Sequence, residues 1–350
     1  MHRTRRVLML VGFILFSQQP GIPQQTNDVV QPPPPPGKLV DVGGRRLHLH
    51  CTGKNKGNMP TVVLESGAGD FSFDWGLVQP EVAQFTRVCS YDRAGYAWSD
   101  PGPTPRTMQQ IVYELHTGLH EGGVKKPYVL VGHSIGGLLV RVYANQYREE
   151  VAGMVLVDSS HEDQLISITD RKTKQEKIVR WRELSRGRPI PPVQSGISSS
   201  TGTGMTQETL GSSVPKIEAP YDRLPPDIQQ IRLWAMSQPS YNPARLSEFD
   251  FLPEELARLF ADGSLHKYLL GDMPLIILTR GVSEDSGSNE LAKTQDEDRK
   301  RRQADLVNLS SNSKQIIAQK SGHHIQLDDP KLVVDAVRRV IDLVRHRTKP

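Results

Sequence analysis

Cysteine is nearly absent: Cys51 and Cys89 are the two in 350 residues, which excludes a fold held by a disulfide framework. Long apolar runs are missing too. The stretch from Val7 to Phe16, interrupted by Gly12, falls short of the roughly 20 residues a membrane-spanning helix needs. Charge of one sign is equally scarce. The formal net charge is +4, three units of it come from Arg3, Arg5 and Arg6, and the first seventeen residues hold no acid, so +1 remains beyond them. That balance offers no footing for nucleic acid, and no such partner is expected. An apolar share of 37% and a charged share of 23% are ordinary for a globular protein and exclude global disorder or a fibre. The length suits one large domain, or a domain carrying an inserted lid.

What is present begins with a basic stretch, Arg3 to Arg6, followed at once by the apolar run. Residues 1–17 therefore read as a secretory signal. Ser17 is small, but Leu15 and Gln19 do not form an A-x-A site. The expectation is export to a periplasmic or secreted destination, with retention as an N-terminal anchor the alternative and the single route to a membrane. Residues 18–37 are rich in Gln and Pro and contain the run Pro32 to Pro36, which favours polyproline II and makes a stiff tether.

From Lys38 to residue 348 short β-like runs alternate with helical stretches. Leu39–Val42, Gly43-Gly44 and Arg45–Cys51 read as a hairpin. Continuous β-branched runs follow at Thr61–Glu65, Thr86–Tyr91, Tyr128–Gly132, Met154–Asp158, Pro274–Thr279 and Gln315–Ala318, as suits strands covered on both faces. Thr107, with Gln110 three residues on, can cap a helix bearing Ile111, Leu115 and Leu119. Asp329-Pro330 opens another, with Val333, Val337, Val340, Ile341 and Val344 along one stripe. This alternation predicts an α/β fold with a mostly parallel sheet and right-handed crossovers. Residues 160–272 break it. They hold a charged helix-like segment (Arg171 to Arg186), a Ser/Gly/Thr-rich middle (Ser195 to Ser213), and helical pieces with Trp234, Phe249, Phe251, Leu256 and Phe260. They read as an inserted helical cap with a mobile middle.

Gly132-His133-Ser134-Ile135-Gly136-Gly137 lies between a strand and a helix. This is G-x-S-x-G in the setting that makes a nucleophile elbow. The serine occupies a strained turn, glycines clear space on both sides, and the helix N-terminus with the Ile135 amide faces a developing oxyanion. A serine hydroxyl needs a base. Of eleven histidines, His48 and His50 alternate on a hairpin strand and His116 and His120 share a helix face, as solvent-facing or structural residues would. Ser321-Gly322-His323-His324-Ile325 follows a late strand and precedes the last helix, so His323 is the candidate base and His324 its neighbour. The second oxyanion amide is expected from Glu65-Ser66-Gly67-Ala68-Gly69, with Ala68 the donor. For the acid, Asp158 at a strand end comes first, and Asp285, beside Glu284 in a polar loop, is the alternative.

Together these residues resemble the α/β-hydrolase family, from about Val40 to Val344. Two further segments strengthen the likeness. Tyr91-Asp92-Arg93-Ala94-Gly95-Tyr96-Ala97-Trp98-Ser99-Asp100 looks like the turn after the fourth strand in capped members, and SGHHIQLDDP is similar to the segment carrying the family's histidine. The resemblance implies eight strands with one antiparallel near the edge, helices on both faces, a cap after the sixth strand, and the order Ser, acid, His, which Asp158 and Asp285 both satisfy. Ser66-Gly67 stands where many relatives carry His-Gly, leaving the Ala68 amide unaffected. Relatives acting on halides or epoxides use an aspartate at the elbow, so Ser134 argues against both. The family's sheet order also implies that Cys51 and Cys89 are near each other, as a disulfide or as two buried thiols.

The expected activity is hydrolysis of a carboxylic ester through an acyl-enzyme, on a small molecule with an apolar portion, without metal or organic cofactor. Aminopeptidase-like, lactone or C–C hydrolysis, cofactor-free haloperoxidase or acyltransferase chemistry on the same residues, and a catalytically inactive binding protein remain alternatives. Oligomeric state is not legible.

Overall fold

β-Branched and aliphatic runs build the sheet whose strand ends carry Ser134 and Asp158. The computed structural model describes residues 33–55, 59–170, 173–196, 215–262, 268–283 and 290–347. The expected signal segment and most of the tether lie outside the described residues. The chain enters as β1 (Lys38–Asp41) and β2 (Arg46–Thr52), then β3 (Thr61–Glu65), the short α1 (Gln79–Ala83), β4 (Val88–Tyr91), α2 (Met108–Glu121), β5 (Tyr128–His133), α3 (Ile135–Gln146) and β6 (Val151–Val157). After an inserted segment come β9 (Leu275–Arg280), α7 (Glu290–Asp305), β10 (Ser313–Ala318), the one-turn α8 (Ile325–Asp328) and α9 (Pro330–Arg347). Among the described residues the main sheet has eight strands in the order β1-β2-β4-β3-β5-β6-β9-β10, and β2 alone runs antiparallel to its neighbours.

Alternation along the central strands feeds two cores. Val62, Leu64, Val129, Val131, Val155, Val157, Ile276 and Leu278 pack with the α9 stripe Val333, Val337, Val340, Ile341 and Val344. Val63, Leu130, Met154, Leu156, Leu275 and Ile277 pack with Ile111 and Leu115 of α2 and Leu138 and Leu139 of α3. Full burial of each such side chain contributes roughly 1.5–3 kcal/mol. The helix ends follow the expected chemistry. Thr107 Oγ1 accepts from Gln110 N–H (3.2 Å), and Asp329 Oδ1 from Leu332 N–H (3.1 Å).

Between β6 and β9 the segment differs from its reading. The described residues of 171–186 form no helix of that length. They belong to a hairpin of β7 (Leu165–Thr169) and β8 (Glu176–Arg180), followed by one 3-10 turn at Trp181–Leu184. Ile166, Ile168, Ile178 and Val179 favour strand over helix. The Asp170 carboxylate accepts from Thr173 N–H (3.0 Å), and Lys174 takes φ 59°, closing the turn. Three helices follow, α4 (Pro226–Met236), α5 (Tyr241–Ser247) and α6 (Leu252–Ala261). Trp234, Leu256 and Phe260 sit on α4 and α6, while Phe249 and Phe251 lie between α5 and α6. Trp234, Tyr241 and Ala244 join Phe71, Phe73 and Tyr96 in a third, largely aromatic cluster that seats the segment on the sheet's loops. The Ser/Gly/Thr-rich middle falls almost wholly outside the described residues. Helix α7 had no counterpart in the sequence reading.

Cys51 and Cys89 are directly paired across antiparallel β2 and β4 and are bridged, with Cα atoms 4.0 Å apart. The bridge closes a loop spanning 38 positions, for which constraint of the unfolded chain predicts a stabilisation of about 2–4 kcal/mol. Thiol titration of the denatured, unreduced protein is expected to find no free thiol. Cys51→Ala with Cys89→Ala should lower the unfolding free energy by that amount in denaturant titrations; two titratable thiols would contradict the bridge.

Candidate active site

β5 delivers its chain to the carboxyl edge of the sheet, where it must turn at once into α3. Ser134 takes that turn with φ 54° and ψ −125°, a backbone state that costs roughly 1–3 kcal/mol for a residue with a side chain. Crowding explains the neighbouring glycines. A β-carbon on Gly132 would sit 2.5 Å from Gly136 O, and one on Gly136 would sit 2.5 Å from Ser66 O. Ser134 N–H donates to Val157 O (3.1 Å) and Ser134 O accepts from Ser160 N–H (2.9 Å), so the bend is tied to the end of β6. Ser134 is the N-cap of α3, whose dipole favours negative charge there.

Asp158 follows β6 directly and is likewise strained, with φ 39°. Its backbone N–H donates to Leu278 O (2.8 Å), and its Oδ1 accepts from Arg280 N–H (3.1 Å). Across the sheet edge, in the loop between β10 and α8, His323 Nδ1 donates to Asp158 Oδ2 at 2.7 Å. Arg280 Nη1 and Arg299 Nη1 lie 3.5 and 3.6 Å from the same carboxylate. Burial pushes the Asp158 pKa up, but the His323 contact and the Arg280 charge outweigh it and hold the group below the usual carboxylate range. It is therefore an ionised acceptor near neutral pH. Asp285 lies outside the described residues.

Ser134, His323, Asp158, Ala68 and Ile135 all line one cavity of about 330 Å³. Leu165, Ile166, Trp181 and Phe249 supply apolar wall from the inserted segment, while Arg280, Arg299 and Gln295 supply polar wall. Ala68 is exposed, whereas Ser66 and Gly67 before it are buried, so the loop after β3 presents its tip to the cavity.

His324 faces away from Asp158 into a second network. Its Nε2 lies 2.8 Å from the Tyr221 hydroxyl, which is 2.5 Å from Asp70 Oδ1. Burial works against the Asp70 charge, yet His133, His324 and Arg232 together hold its pKa well below the usual range. Burial also pushes His324 down to about 3. An ionised carboxylate only accepts, so Tyr221 donates to Asp70 and accepts from a neutral His324. His133 Nε2 donates to the His323 carbonyl (3.1 Å), and its Nδ1 lies 3.3 Å from Asp70 Oδ2. Arg232 of α4 pairs with Asp74 and stacks over the Tyr221 ring at 3.5 Å. The sequence reading missed Arg280, Arg299, Asp70, Tyr221 and Arg232. A run of good helix formers at residues 290–305 was the available signal for Arg299; Tyr221 and Arg232 carried none.

A family model described as "alpha/beta hydrolase fold" matches residues 60–182. A fungal protein of Gibberella zeae named "AB hydrolase superfamily protein" is 27% identical over 308 residues, covering 82% of this chain and 87% of that protein. Among solved structures, a thermophilic esterase from Thermogutta terrifontis superposes with a TM-score of 0.57 at 19% identity, over 88% of this chain and 99% of that one. A meta-cleavage product hydrolase from Pseudomonas fluorescens gives 0.56 at 17% identity, over 87% and 98%. The chain has the α/β-hydrolase fold, and its residues 60–182 match the model of that family.

Placement of the Asp158 carboxylate predicts a steep dependence on it. Asp158→Asn is expected to lower kcat by about 10⁴-fold, as loss of an orienting carboxylate does, with Asp285→Asn within about twofold of wild type. Steady-state rates on an activated ester decide this, and the opposite ranking would move the acid to the later loop.

Proposed function

We propose that this chain is a serine hydrolase that cleaves carboxylic esters through an acyl-enzyme. The observation that carries the reading is one cavity lined by Ser134, His323 and Asp158, with His323 already hydrogen-bonded to Asp158 at 2.7 Å. In the first step His323 Nε2 takes the proton from Ser134 Oγ as that oxygen attacks the substrate carbonyl. The oxyanion is received by the amides of Ala68 and Ile135. Collapse expels the alcohol, protonated by the imidazolium. Water, deprotonated by His323, then attacks the acyl-enzyme, and the carboxylic acid leaves with Ser134 restored. Asp158 holds the imidazole tautomer and stabilises its charged form.

The cavity volume suits a small molecule, and Leu165, Ile166, Trp181 and Phe249 suit an apolar portion. Ester, lactone and C–C hydrolysis share this machinery, so the scissile bond is the finer part of the proposal. We also propose that the protein works outside the cytoplasm. The basic and apolar pattern of residues 1–17 and the Cys51–Cys89 bridge, which persists in oxidising compartments, support that placement.

The test pairs labelling with turnover. A fluorophosphonate probe is expected to label the wild type and not Ser134→Ala. On p-nitrophenyl esters of increasing chain length, Ser134→Ala and His323→Ala should each lose about 10⁴–10⁶-fold in kcat. Unlabelled wild type with no ester turnover would leave a binding protein on a hydrolase scaffold.

A further inference from the structure

Arg93 belongs to the segment after β4 that carries the family likeness, yet nothing in the reaction above uses it. It is 3% exposed, and its guanidinium is spent on four partners. Nη1 donates to Glu65 Oε1 (2.9 Å) and to Ser66 O (2.9 Å), Nη2 donates to Gly67 O (2.5 Å), and Nε lies 2.8 Å from Glu248 Oε1. Two carboxylates would suffice to pair one cation. The two carbonyl contacts are additional, and both fall in the loop that carries Ala68.

Gly67 C=O and Ala68 N–H are the two ends of one peptide unit. In a planar trans peptide they point in opposite directions, and the cis bonds among the described residues lie elsewhere, at Pro105, Pro127 and Pro220. Whatever grips Gly67 O therefore aims Ala68 N–H. A cationic donor on the carbonyl does something more. It draws electron density through the amide and strengthens the opposite N–H as a donor, by about 10–30% per bond. The same carbonyl also accepts from Asp70 N–H (3.3 Å), and beyond this unit the Tyr241 hydroxyl donates to Gly69 O (2.9 Å).

We propose that Arg93 is a positioning residue of the oxyanion hole, holding Gly67 O so that Ala68 N–H is aimed into the cavity and polarised toward the developing negative charge. The inference rests on the function proposed above. It differs from a purely structural role in one respect: the effect grows as the substrate carbonyl becomes tetrahedral, so it acts on the transition state more than on bound substrate.

The experiment measures kcat and KM on p-nitrophenyl butyrate and the Ki of phenylboronic acid, which adds to a nucleophilic serine as a tetrahedral anion. Thermal unfolding is followed on the same samples. Arg93→Lys keeps the charge but not the fork. It should lower kcat about 10–100-fold with KM within about threefold, and weaken the boronate Ki by the same factor as kcat. The triple variant Arg93→Gln, Glu65→Gln, Glu248→Gln removes charge on both sides, so no buried ion is orphaned and folding is preserved. It should lose kcat and boronate affinity at least as far, and it carries the same readings if Arg93→Lys fails to fold. A folded variant of either kind with wild-type kcat and wild-type boronate Ki overturns the proposal, as does a loss confined to unfolding temperature. A wild type inert toward both ester and boronate would sink the hydrolase reading, and this inference with it. An active wild type beside equally active variants sinks this inference alone.

Discussion

The contact between His323 Nδ1 and Asp158 Oδ2 joins two loops 165 positions apart, and it holds only because the sheet brings their strands to one edge. Asp158 is the first residue past β6, β6 pairs in parallel with β9, and β9 with β10, whose exit loop carries the imidazole. Asp158 N–H reaches Leu278 O, and Arg280 N–H reaches back to the carboxylate. Asp158 is thus placed by hydrogen bonds of its own main chain and of Arg280 N–H, which a side-chain rotamer cannot easily undo. On the other side, Ser134 N–H bonds to Val157 O, one residue before the acid. Ser134 and Asp158 therefore share a fastening at the end of β6, and both have positive φ.

The inserted segment is fastened by ion pairs and hydrogen bonds as well as by its aromatic cluster. Arg232 of α4 meets Asp70 and Asp74, Glu248 beyond α5 meets Arg93, and Glu255 of α6 accepts from Met108 N–H at 2.8 Å. Each partner on the sheet side belongs to a loop at the candidate site or to the start of α2. Removing one member of such a buried pair costs about 3–5 kcal/mol, because the other is left unpaired. The segment is consequently docked in one register over the cavity. The loop between β3 and Phe71 is held between Arg93 on one side and the Asp70–Tyr221–Arg232 network on the other.

Much of this arrangement was legible in the residues. GHSIGG between a β-branched run and a helical stretch announces a tight bend, since glycines on both sides of the serine clear room for the crossing backbone. The parallel sheet followed from TVVLE, YVLVG and PLIILT, which are apolar on both faces. What failed did so for physical reasons. The density of charge in Arg171–Arg186 suggests a helix, but Ile166 and Ile168 alternate, Ile166 pairs with Val179 across a turn, and charge says little about period. Helix α7 has no apolar stripe, and many of its contacts are polar or ionic, among them Asp298 with Arg180, Arg302 with Asp163 and Gln303 Nε2 with Ser159 O. Hydrophobic periodicity cannot find such a helix. Tyr221 and Arg232 come from a stretch whose approach to Asp70 depends wholly on tertiary structure.

The two arginines beside Asp158 set a limit on how the carboxylate can act. A group that must stabilise an imidazolium loses strength in that task if its own charge is neutralised by others. Arg280 and Arg299 stand at 3.5 and 3.6 Å, close enough to drain it. Arg299, however, is turned mainly to Asp296, with Nη2 and Nε donating to Asp296 Oδ1 at 2.8 and 3.1 Å. Much of its charge is answered there, and Asp296 also meets Lys300 at 2.8 Å. His323 remains the nearest donor to Asp158, at 2.7 Å. The His323 contact and the Arg280 charge keep the buried carboxylate ionised against desolvation, and Asp296 takes up the hydrogen bonds of Arg299.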